Sequence, residues 1–262
     1  MINTPSCSAC RNGINPPFDF TMAFQPIVDL ATRSVWGYEA LVRGPEGQSA
    51  DWILSQVTNE NRYAFDQSCR VKAIELASRL FPEDGTEILS INFMPNSVYV
   101  PSACIRTTVQ AAERTGFPLH RIMFEFVEDE RVEDTSHVKA ILADYRERGL
   151  KSALDDFGAG YSGLSLLANF QTDFVKIDMA LTRNLHRCRE CQAIVKGIVT
   201  MANMLDITLI AEGVECAKDM QAIHDFGIHL QQGFLFAKPE LQALPDVKWP
   251  EAPGLRAKEA AA

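Results

Sequence analysis

The sequence lacks the features of a membrane protein and of a nucleic-acid-binding protein. No apolar run reaches 18 residues, as an ordinary membrane-spanning helix would require. Lys and Arg form no cluster, and 34 acidic residues outnumber 25 basic ones to give a net charge of −9, so polymeric nucleic acid is an unexpected partner. The N-terminal residues are polar and lack the apolar core of a signal peptide. We therefore expect a cytoplasmic protein that binds neither a membrane nor a polymeric nucleic acid.

The length and the composition fit one large α/β domain. The chain has 262 residues, of which 47% are hydrophobic, enough to fill a core. Short apolar runs alternate with segments of helical spacing, which is the order of a (β/α)8 barrel. A doubly wound sheet is the alternative, but it would normally carry a glycine-rich loop where this chain has Gln25-Pro26-Ile27. We assign residues 1–17 to an N-terminal extension, 18–244 to the barrel and 245–262 to a flexible tail.

The apolar runs predict the positions of eight strands, and the spacing between them predicts the helices. The predicted strands are Phe20–Leu30, Val35–Val42, Ile88–Phe93, Ile122–Val127, a fifth from Ser152 into Asp155-Asp156, Phe174–Ile177, Ile207–Ala211 and Gln231–Phe236. The predicted helical segments are Ala50–Leu80 (as two helices), Ser102–Arg114, a helix from Asp134 or Thr135 to Gly149, and one from the sixth strand to about Leu205.

Seven polar residues stand at or near the ends of successive predicted strands. They are Glu39, Asn92, Glu125, Asp155, Asp156, Lys176 and Glu212. Parallel strands carry their functional groups at their carboxyl ends, so these side chains should converge on one face of the barrel. Several ionised carboxylates repel one another in a shared pocket unless cations neutralise them. Hard oxygen ligands favour Mg²⁺ or Mn²⁺ over zinc, and the pattern predicts a metal-dependent enzyme with an anionic substrate.

The Asp155-Asp156 pair and Lys176 refine this prediction. One of two adjacent carboxylates can bridge two ions about 3.5–4 Å apart, which jointly polarise a water and a phosphoryl oxygen. A lysine among the acids can neutralise developing negative charge or orient the water. Taken singly, each residue has an ordinary explanation, since an Asp-Asp pair can cap a helix and a glutamate or lysine can lie on the surface. Their joint order on successive strands favours a site.

Seven blocks of sequence carry these residues. The blocks are Tyr38–Gly44, Ser90–Phe93, Phe124–Glu128, Leu154–Ser162, Val175–Asp178, Ala211–Glu215 and Gln232–Phe236. Together they resemble the EAL family of cyclic-di-GMP phosphodiesterases, named for the triplet Glu39-Ala40-Leu41, and the resemblance covers nearly all of residues 20–240. It implies a modified TIM barrel whose first strand is antiparallel to the others. It also implies hydrolysis of cyclic di-GMP to linear pGpG with two Mg²⁺ or Mn²⁺ ions per active site.

The resemblance further implies a role for each site residue. The implied metal ligands and their immediate partners are Glu39, Asn92, Glu125, Asp155, Asp156 and Glu212. The implied catalytic groups, of which the lysine lies near the attacking water, are Lys176, Glu212, Glu215 and Gln232. The implied substrate contacts are Gln25 and Arg43, and the residue that holds the loop after Asp156 is Glu128. The departures from common family residues, such as Ala159, Gly163 and Phe234, remove no ligand.

Two other functions remain alternatives to hydrolysis of cyclic di-GMP. One is a non-catalytic cyclic-di-GMP receptor that acts through a protein partner, and the other is a different metal phosphodiesterase, such as one for glycerophosphodiesters. Inactive family members typically lose the first glutamate, the Asp pair or the lysine, and this sequence keeps them all, so catalysis is favoured. The resemblance also implies a homodimer, and a separate regulatory protein or the N-terminal extension could control it.

The seven cysteines include two Cys-x-x-Cys pairs, Cys7 with Cys10 and Cys188 with Cys191. Two such pairs supply the four thiolates of a structural zinc site, which only the fold could bring together. Reduced, unligated thiols and a redox-sensitive disulfide are the alternatives. The remaining cysteines lie in apolar surroundings and are expected to be small buried residues, namely Cys69, Cys104 and Cys216.

Overall fold

The computed structural model describes residues 16–94, 104–127, 135–160 and 163–250. The strands found there are β1 (Thr21–Asp29), β2 (Ser34–Arg43), β3 (Ile88–Asn92), β4 (Ile122–Val127), β5 (Lys151–Phe157), β6 (Phe174–Ile177), β7 (Thr208–Ala211), β8 (Leu230–Gln232) and β9 (Glu240–Leu241). Strands β2 to β8 lie in chain order, and each is parallel to the next. Strand β1 lies between β8 and β2 and is antiparallel to both. This arrangement closes the barrel and confirms the predicted fold.

Helices connect the parallel strands. They are α1 (Ala50–Leu54), α2 (Arg62–Leu80), α3 (Arg106–Thr115), α4 (Thr135–Glu147), α5 (Gly163–Asn169), α6 (Met179–Thr182), α7 (Arg189–Met204) and α8 (Ala217–Asp225), with short 3₁₀ helices at Leu119–Arg121 and Leu185–Arg187. Their apolar faces and the outer faces of the strands share one large buried cluster. Across the described ranges, no helix is both long enough and apolar enough to span a bilayer.

Two predicted elements differ from the structure in extent. The single helix expected after β6 is broken into α6, a 3₁₀ turn and α7, because Asn184 adopts the left-handed conformation with φ of 61°. The eighth strand ends at Gln232 rather than at Phe236. A Cβ at Gly233 would lie 2.0 Å from the Val214 carbonyl oxygen, so this position needs glycine where the chain turns away from the sheet.

The barrel interior is apolar at one end and polar at the other. The side chains that fill the apolar end are Ile27, Ile88, Met123, Ala153, Phe174, Ile210 and Leu230. The polar side chains two residues along the same strands are Gln25, Ser90, Glu125, Asp155, Lys176, Glu212 and Gln232. Alternate residues of a strand point to the same side, so each strand brings an apolar residue and then a polar one into the barrel. The apolar end forms a closed floor beneath the polar layer.

The first part of the predicted C-terminal tail packs on the barrel. The structure describes the chain up to Pro250. The Lys248 amide donates a hydrogen bond to the Phe236 carbonyl over 2.9 Å, and the Arg33 guanidinium lies 5.5 Å from the centre of the Trp249 ring. The residues beyond Pro250 lie outside the described part, and the tail boundary at 245 remains a prediction.

Candidate active site

Lys176 lies at the centre of the polar end of the barrel and contacts four carboxylates. Its Nζ atom is 2.6 Å from Glu212, 2.9 Å from Glu125, and 3.2 Å from both Glu39 and Asp155. The lysine and Glu125 are both fully buried. Four strands and the residue that directly follows a fifth strand, β7, therefore deliver side chains to one point, as the sequence predicted for these five residues.

Side chains from strands β3, β6 and β8 contact the Glu39 carboxylate. Its Oε1 atom accepts a hydrogen bond from Asn92 Nδ2 over 2.8 Å, and its Oε2 atom accepts one from Gln232 Nε2, also over 2.8 Å. Gln232 Nε2 lies 3.3 Å from Gln25 Oε1, and Gln25 pairs directly opposite Glu39 in the β1–β2 ladder. These contacts fix the orientation of the Glu39 carboxylate and bring Asn92, Gln232 and Gln25 to the predicted site.

Ser90 is a site residue that the sequence reasoning did not select. Its hydroxyl donates to Glu125 Oε1, and the serine is completely buried. The period of a strand could have identified it, because Ser90 stands two residues before Asn92 on β3 and so faces the same interior. The serine orients the Glu125 carboxylate and carries no charge itself.

Burial and mutual repulsion raise the pKa of most of the carboxylates. Burial raises the pKa of Glu125 well above its ordinary value, and the neighbouring charges of Glu39 and Asp155 add to this effect against the attraction of Lys176. Burial and the charge of Asp155 raise the pKa of Glu212 in the same way. The pKa of Asp155 is also raised, chiefly by burial and despite the attraction of Lys176.

Glu39 and Lys176 are the two groups of the cluster whose charged forms are favoured. Burial opposes the ionisation of Glu39, but Lys176 and the amides of Gln232 and Asn92 together hold the pKa of Glu39 below its ordinary value. Burial opposes the charge on Lys176 too, yet the surrounding carboxylates, with Asp155 the strongest, raise its pKa well above the ordinary value. The surrounding carboxylates therefore favour the ammonium form of the lysine.

Asp156 extends the cluster toward the open end of the barrel. Its backbone is left-handed, with φ of 53°, where the pairing of β5 with β6 shifts register between Leu154 and Phe157. Its amide donates to Asp155 Oδ1 over 2.9 Å. Burial, with repulsion from Asp155 and Asp178, raises the pKa of Asp156 to about 6. The irregularity turns Asp156 aside from the ladder, so both members of the pair reach the site.

The donor set fits hard divalent cations. Ligand atoms of Glu39, Glu125 and Asp155 lie within 4.8 Å of one another, and so do those of Asp155, Asp156 and Glu212. Asp155 belongs to both groups. Five carboxylates against the one ammonium of Lys176 leave a strong excess of negative charge when all are ionised, and carboxylate oxygens are the ligands that Mg²⁺ and Mn²⁺ prefer.

Other predicted site residues lie apart from this cluster or outside the described ranges. Arg43 Nη1 donates to the neighbouring Val42 carbonyl over 2.7 Å at the end of β2. Glu215 forms an exposed ion pair with Arg183 instead of facing Lys176. Glu128, Cys7 and Cys10 fall outside the described residues. The roles assigned to all five remain predictions.

The cysteines that the structure describes fall into two kinds. Cys188 and Cys191 are joined by a disulfide. Cys69 and Cys104 are free and buried as expected, whereas Cys216 is only half-buried. The four-thiolate zinc hypothesis also requires Cys7 and Cys10, so it remains untested.

The fold and the carboxylate cluster define a modified TIM-like barrel protein with an acidic site at the carboxyl ends of its parallel strands. A family model described as the EAL domain matches residues 11–239. The chain belongs to the EAL domain family, which confirms the resemblance drawn from the sequence blocks.

Two curated relatives illustrate the range of proteins that the chain resembles. It is 29% identical over 238 residues to the blue light- and temperature-regulated antirepressor BluF of Escherichia coli, covering 91% of this chain and 59% of BluF. It is 29% identical over 231 residues to the cyclic di-GMP phosphodiesterase PA2567 of Pseudomonas aeruginosa, covering 85% of this chain and 38% of the relative. The chain thus spans less than two thirds of either curated relative.

Two solved structures share the fold along most of this chain. The c-di-GMP bound form of a standalone versatile EAL protein from Vibrio cholerae O395 has 52% sequence identity and a TM-score of 0.85, covering 88% of this chain and 97% of that one. The manganese and cyclic-di-GMP complex of Klebsiella pneumoniae BlrP1 has 36% identity and a TM-score of 0.84, covering 90% of this chain and 60% of BlrP1.

Proposed function

We propose that the protein is a phosphodiesterase that hydrolyses cyclic di-GMP to linear pGpG with two Mg²⁺ or Mn²⁺ ions. The observation that carries the proposal is the position of Asp155, which is shared by two groups of three carboxylates around Lys176. Glu39, Glu125 and Asp155 would hold one ion, with Asn92 beside them. Asp155, Asp156 and Glu212 would hold the other. Two such ions, when bound, polarise a phosphoryl oxygen and activate a water for attack.

The chain's own residues supply orientation and charge. Lys176 keeps its proton on Nζ, because four carboxylates surround it, and so offers a fixed positive charge to the phosphoryl group. Gln232 and Asn92 fix Glu39, and Ser90 fixes Glu125. Buried apolar side chains fill the other end of the barrel, so we expect substrate to bind at the polar end. Arg43 and Gln25 are proposed contacts of the substrate.

The relatives support the choice of ligand and of metal. The Vibrio cholerae structure contains c-di-GMP, and the BlrP1 structures include manganese and calcium complexes with the same dinucleotide. PA2567 is named as a phosphodiesterase for it. A homodimer, a separate regulatory partner and a cytoplasmic location belong to this proposal as further expectations.

The direct test is a product assay with a matched pair of variants. Purified protein is incubated with cyclic di-GMP and Mn²⁺, and pGpG is quantified by chromatography with and without a chelator. Glu39→Gln removes a charge from the first carboxylate group and should abolish turnover, whereas Glu240→Gln, on the exposed strand β9, should leave turnover unchanged. Turnover of Glu39→Gln within tenfold of the wild type would contradict the assignment.

A second candidate function is a non-catalytic receptor that acts on a protein partner. It is favoured by one comparison, the antirepressor name of BluF. The same assay separates the two functions, because a receptor would bind cyclic di-GMP and release it unchanged with Mn²⁺ present. The complete set of carboxylates around Lys176 favours the enzyme.

A further inference from the structure

Cys188 and Cys191 lie at the start of helix α7, away from the carboxylate cluster. They are bonded through their sulfur atoms, and their Cα atoms are 5.3 Å apart. This spacing lies within the range of about 4.4–6.8 Å that a disulfide needs, so the bond can form or break without displacing the backbone. The pair is half-buried, so reagents can reach it.

The two sulfur atoms have different surroundings. Cys188 is the N-cap residue of the 16-residue helix α7, and its Sγ atom accepts a hydrogen bond from the Cys191 amide over 3.2 Å. The amino end of a helix stabilises negative charge, while Glu190 in the first turn opposes this effect. Cys191 instead packs against the apolar core. A thiolate is therefore better stabilised on Cys188 than on Cys191.

The segment before Cys188 is anchored independently of the disulfide. Asp219 on α8 accepts hydrogen bonds from the amides of Asn184 and His186, each over 3.0 Å. Gln192 Nε2 donates to the Leu185 carbonyl over 2.8 Å. The backbone amide of Gln192 donates to the Cys188 carbonyl over 2.9 Å. These bonds do not involve sulfur, so they hold the pair together in the dithiol as well as in the disulfide.

The other described cysteines lack this combination of features. Cys69 and Cys104 are buried in the apolar cluster. Cys216 donates its thiol hydrogen to Asp219 Oδ2 over 3.2 Å and forms no disulfide. Among the cysteines that the structure describes, only Cys188 is accessible, has a partner sulfur and caps the amino end of a helix.

We propose that Cys188 and Cys191 form a thiol–disulfide exchange site that reacts with low-molecular-weight disulfides. The Cys188 thiolate attacks one sulfur of the external disulfide RSSR, which forms a mixed disulfide and releases the first RS⁻. The deprotonated Cys191 sulfur then attacks Cys188 Sγ, which closes the protein disulfide and releases the second RS⁻. Two electrons pass from the protein to RSSR, and the two protons lost by the thiols yield two RSH.

The test uses full-length variants in a Cys7→Ser, Cys10→Ser background, so that Cys188 and Cys191 form the one Cys-x-x-Cys pair left in the sequence. Reduced protein is mixed with oxidised glutathione, and intact mass is followed over time. Cys191→Ser should accumulate one glutathione per chain, mapped to Cys188, because the resolving sulfur is gone. Cys188→Ser should form its adduct at Cys191 about tenfold more slowly. The background protein with both cysteines should lose two thiols without a lasting adduct and recover them with dithiothreitol.

Several outcomes would overturn the proposal. One is equal adduct rates in the two single variants, and another is failure of the intact pair to lose two thiols. Zinc retained after desalting at one per wild-type chain, and lost in Cys188→Ser, would assign the pair to a thiolate metal site. If a serine variant unfolds by circular dichroism, the fraction of disulfide in unmutated protein is measured by peptide mapping across glutathione buffers. A pair that stays reduced, or stays oxidised, in every buffer would refute exchange.

Discussion

Two fully buried cations among the described residues lie on opposite sides of strands β3 and β4. Lys176 lies inside the barrel beside Glu125, whereas Arg70, on helix α2, lies outside it against the rings of Phe93 and Phe124. Both cations are fully buried. Asn92 and Phe93, which are neighbours in sequence, face the two different environments.

The two environments differ in their balance of charge. Arg70 has one anionic partner, Asp66 at 2.5 Å, with the Tyr145 hydroxyl at 3.1 Å and two aromatic faces about it. Lys176 has four carboxylates within 3.2 Å. Asp66 balances the charge of Arg70, whereas the Lys176 environment has an excess of carboxylates over cations that further cations would satisfy. Imbalance of charge, rather than burial of charge, distinguishes a functional site from a structural ion pair.

The largest expected effect is on stability, at the Arg70 site. Arg70→Met would leave the Asp66 carboxylate buried without its partner, and we expect a loss of about 3–5 kcal/mol in the free energy of unfolding, measured with urea. The double variant Asp66→Leu, Arg70→Met should recover most of that loss, because no unpaired charge remains. A single variant as stable as the wild type would show that this pair does not hold the helix to the barrel.

The second effect is on turnover, at the Lys176 site. Lys176→Met should reduce the rate of cyclic di-GMP hydrolysis about 10²–10³-fold, because it removes a fixed positive charge that stabilises the developing charge on the phosphoryl group. Lys139→Met, on the exposed face of α4, is the matched control. Cyclic di-GMP affinity in Lys176→Met should change much less than turnover. A collapse of affinity with turnover preserved on bound substrate would make the lysine a binding group.

The Lys176 site could be predicted from the sequence more fully than the Arg70 site, for a physical reason. Residues at the ends of successive parallel strands must meet, so local strand patterns were enough to bring Glu39, Glu125, Asp155 and Lys176 together. Asp66 and Arg70 lie one helical turn apart, but nothing local reveals that their helix face is buried under aromatic rings of β3 and β4. The orientation of long side chains depends on contacts distant in sequence.

The same limit explains the boundaries that differ and the contacts that were not predicted. The break at Asn184 follows from bonds of that segment to Asp219, 35 residues later, which no helical periodicity contains. The strand period places Ser90 on the same face as Asn92, but its hydrogen bond to Glu125 depends on how β3 and β4 meet. The role of Glu215 was assigned through resemblance and remains a prediction, and its ion pair with Arg183 depends on how two loops meet.

A smaller effect is expected from Ser90, which adjusts the acidic site without bearing a charge. Ser90→Ala removes the hydroxyl that donates to Glu125, and supports of metal ligands typically contribute 10–100-fold to metal affinity. We expect about a tenfold weaker affinity for Mn²⁺, measured by isothermal titration calorimetry. Thr108→Ser, a change of one methyl group at another buried hydroxyl, is the control for packing. Unchanged Mn²⁺ affinity in Ser90→Ala would mean that Glu125 is oriented without the serine.

The smallest expected effect is a dependence of stability on pH that arises from the same imbalance of charge. The pKa of Asp156 is raised from 3.8 to about 6, so the folded protein holds a proton that the unfolded chain releases at lower pH. Without divalent cations, stability should therefore fall as the pH rises from about 4 to about 6, and the contribution of Asp156 should be constant above that range. After allowance for solvent screening at a partly exposed group, we expect a contribution of about 1 kcal/mol.

Asp156→Asn keeps a residue type that tolerates the left-handed backbone, so the difference between variant and wild type isolates this carboxylate from Glu125 and Glu212. Thermal unfolding in chelator across this pH range is the measurement, and saturating Mn²⁺ should reverse the trend by favouring the ionised carboxylate. If the difference in stability between Asp156→Asn and the wild type does not change with pH, the pKa of Asp156 is not raised above that of an ordinary surface aspartate.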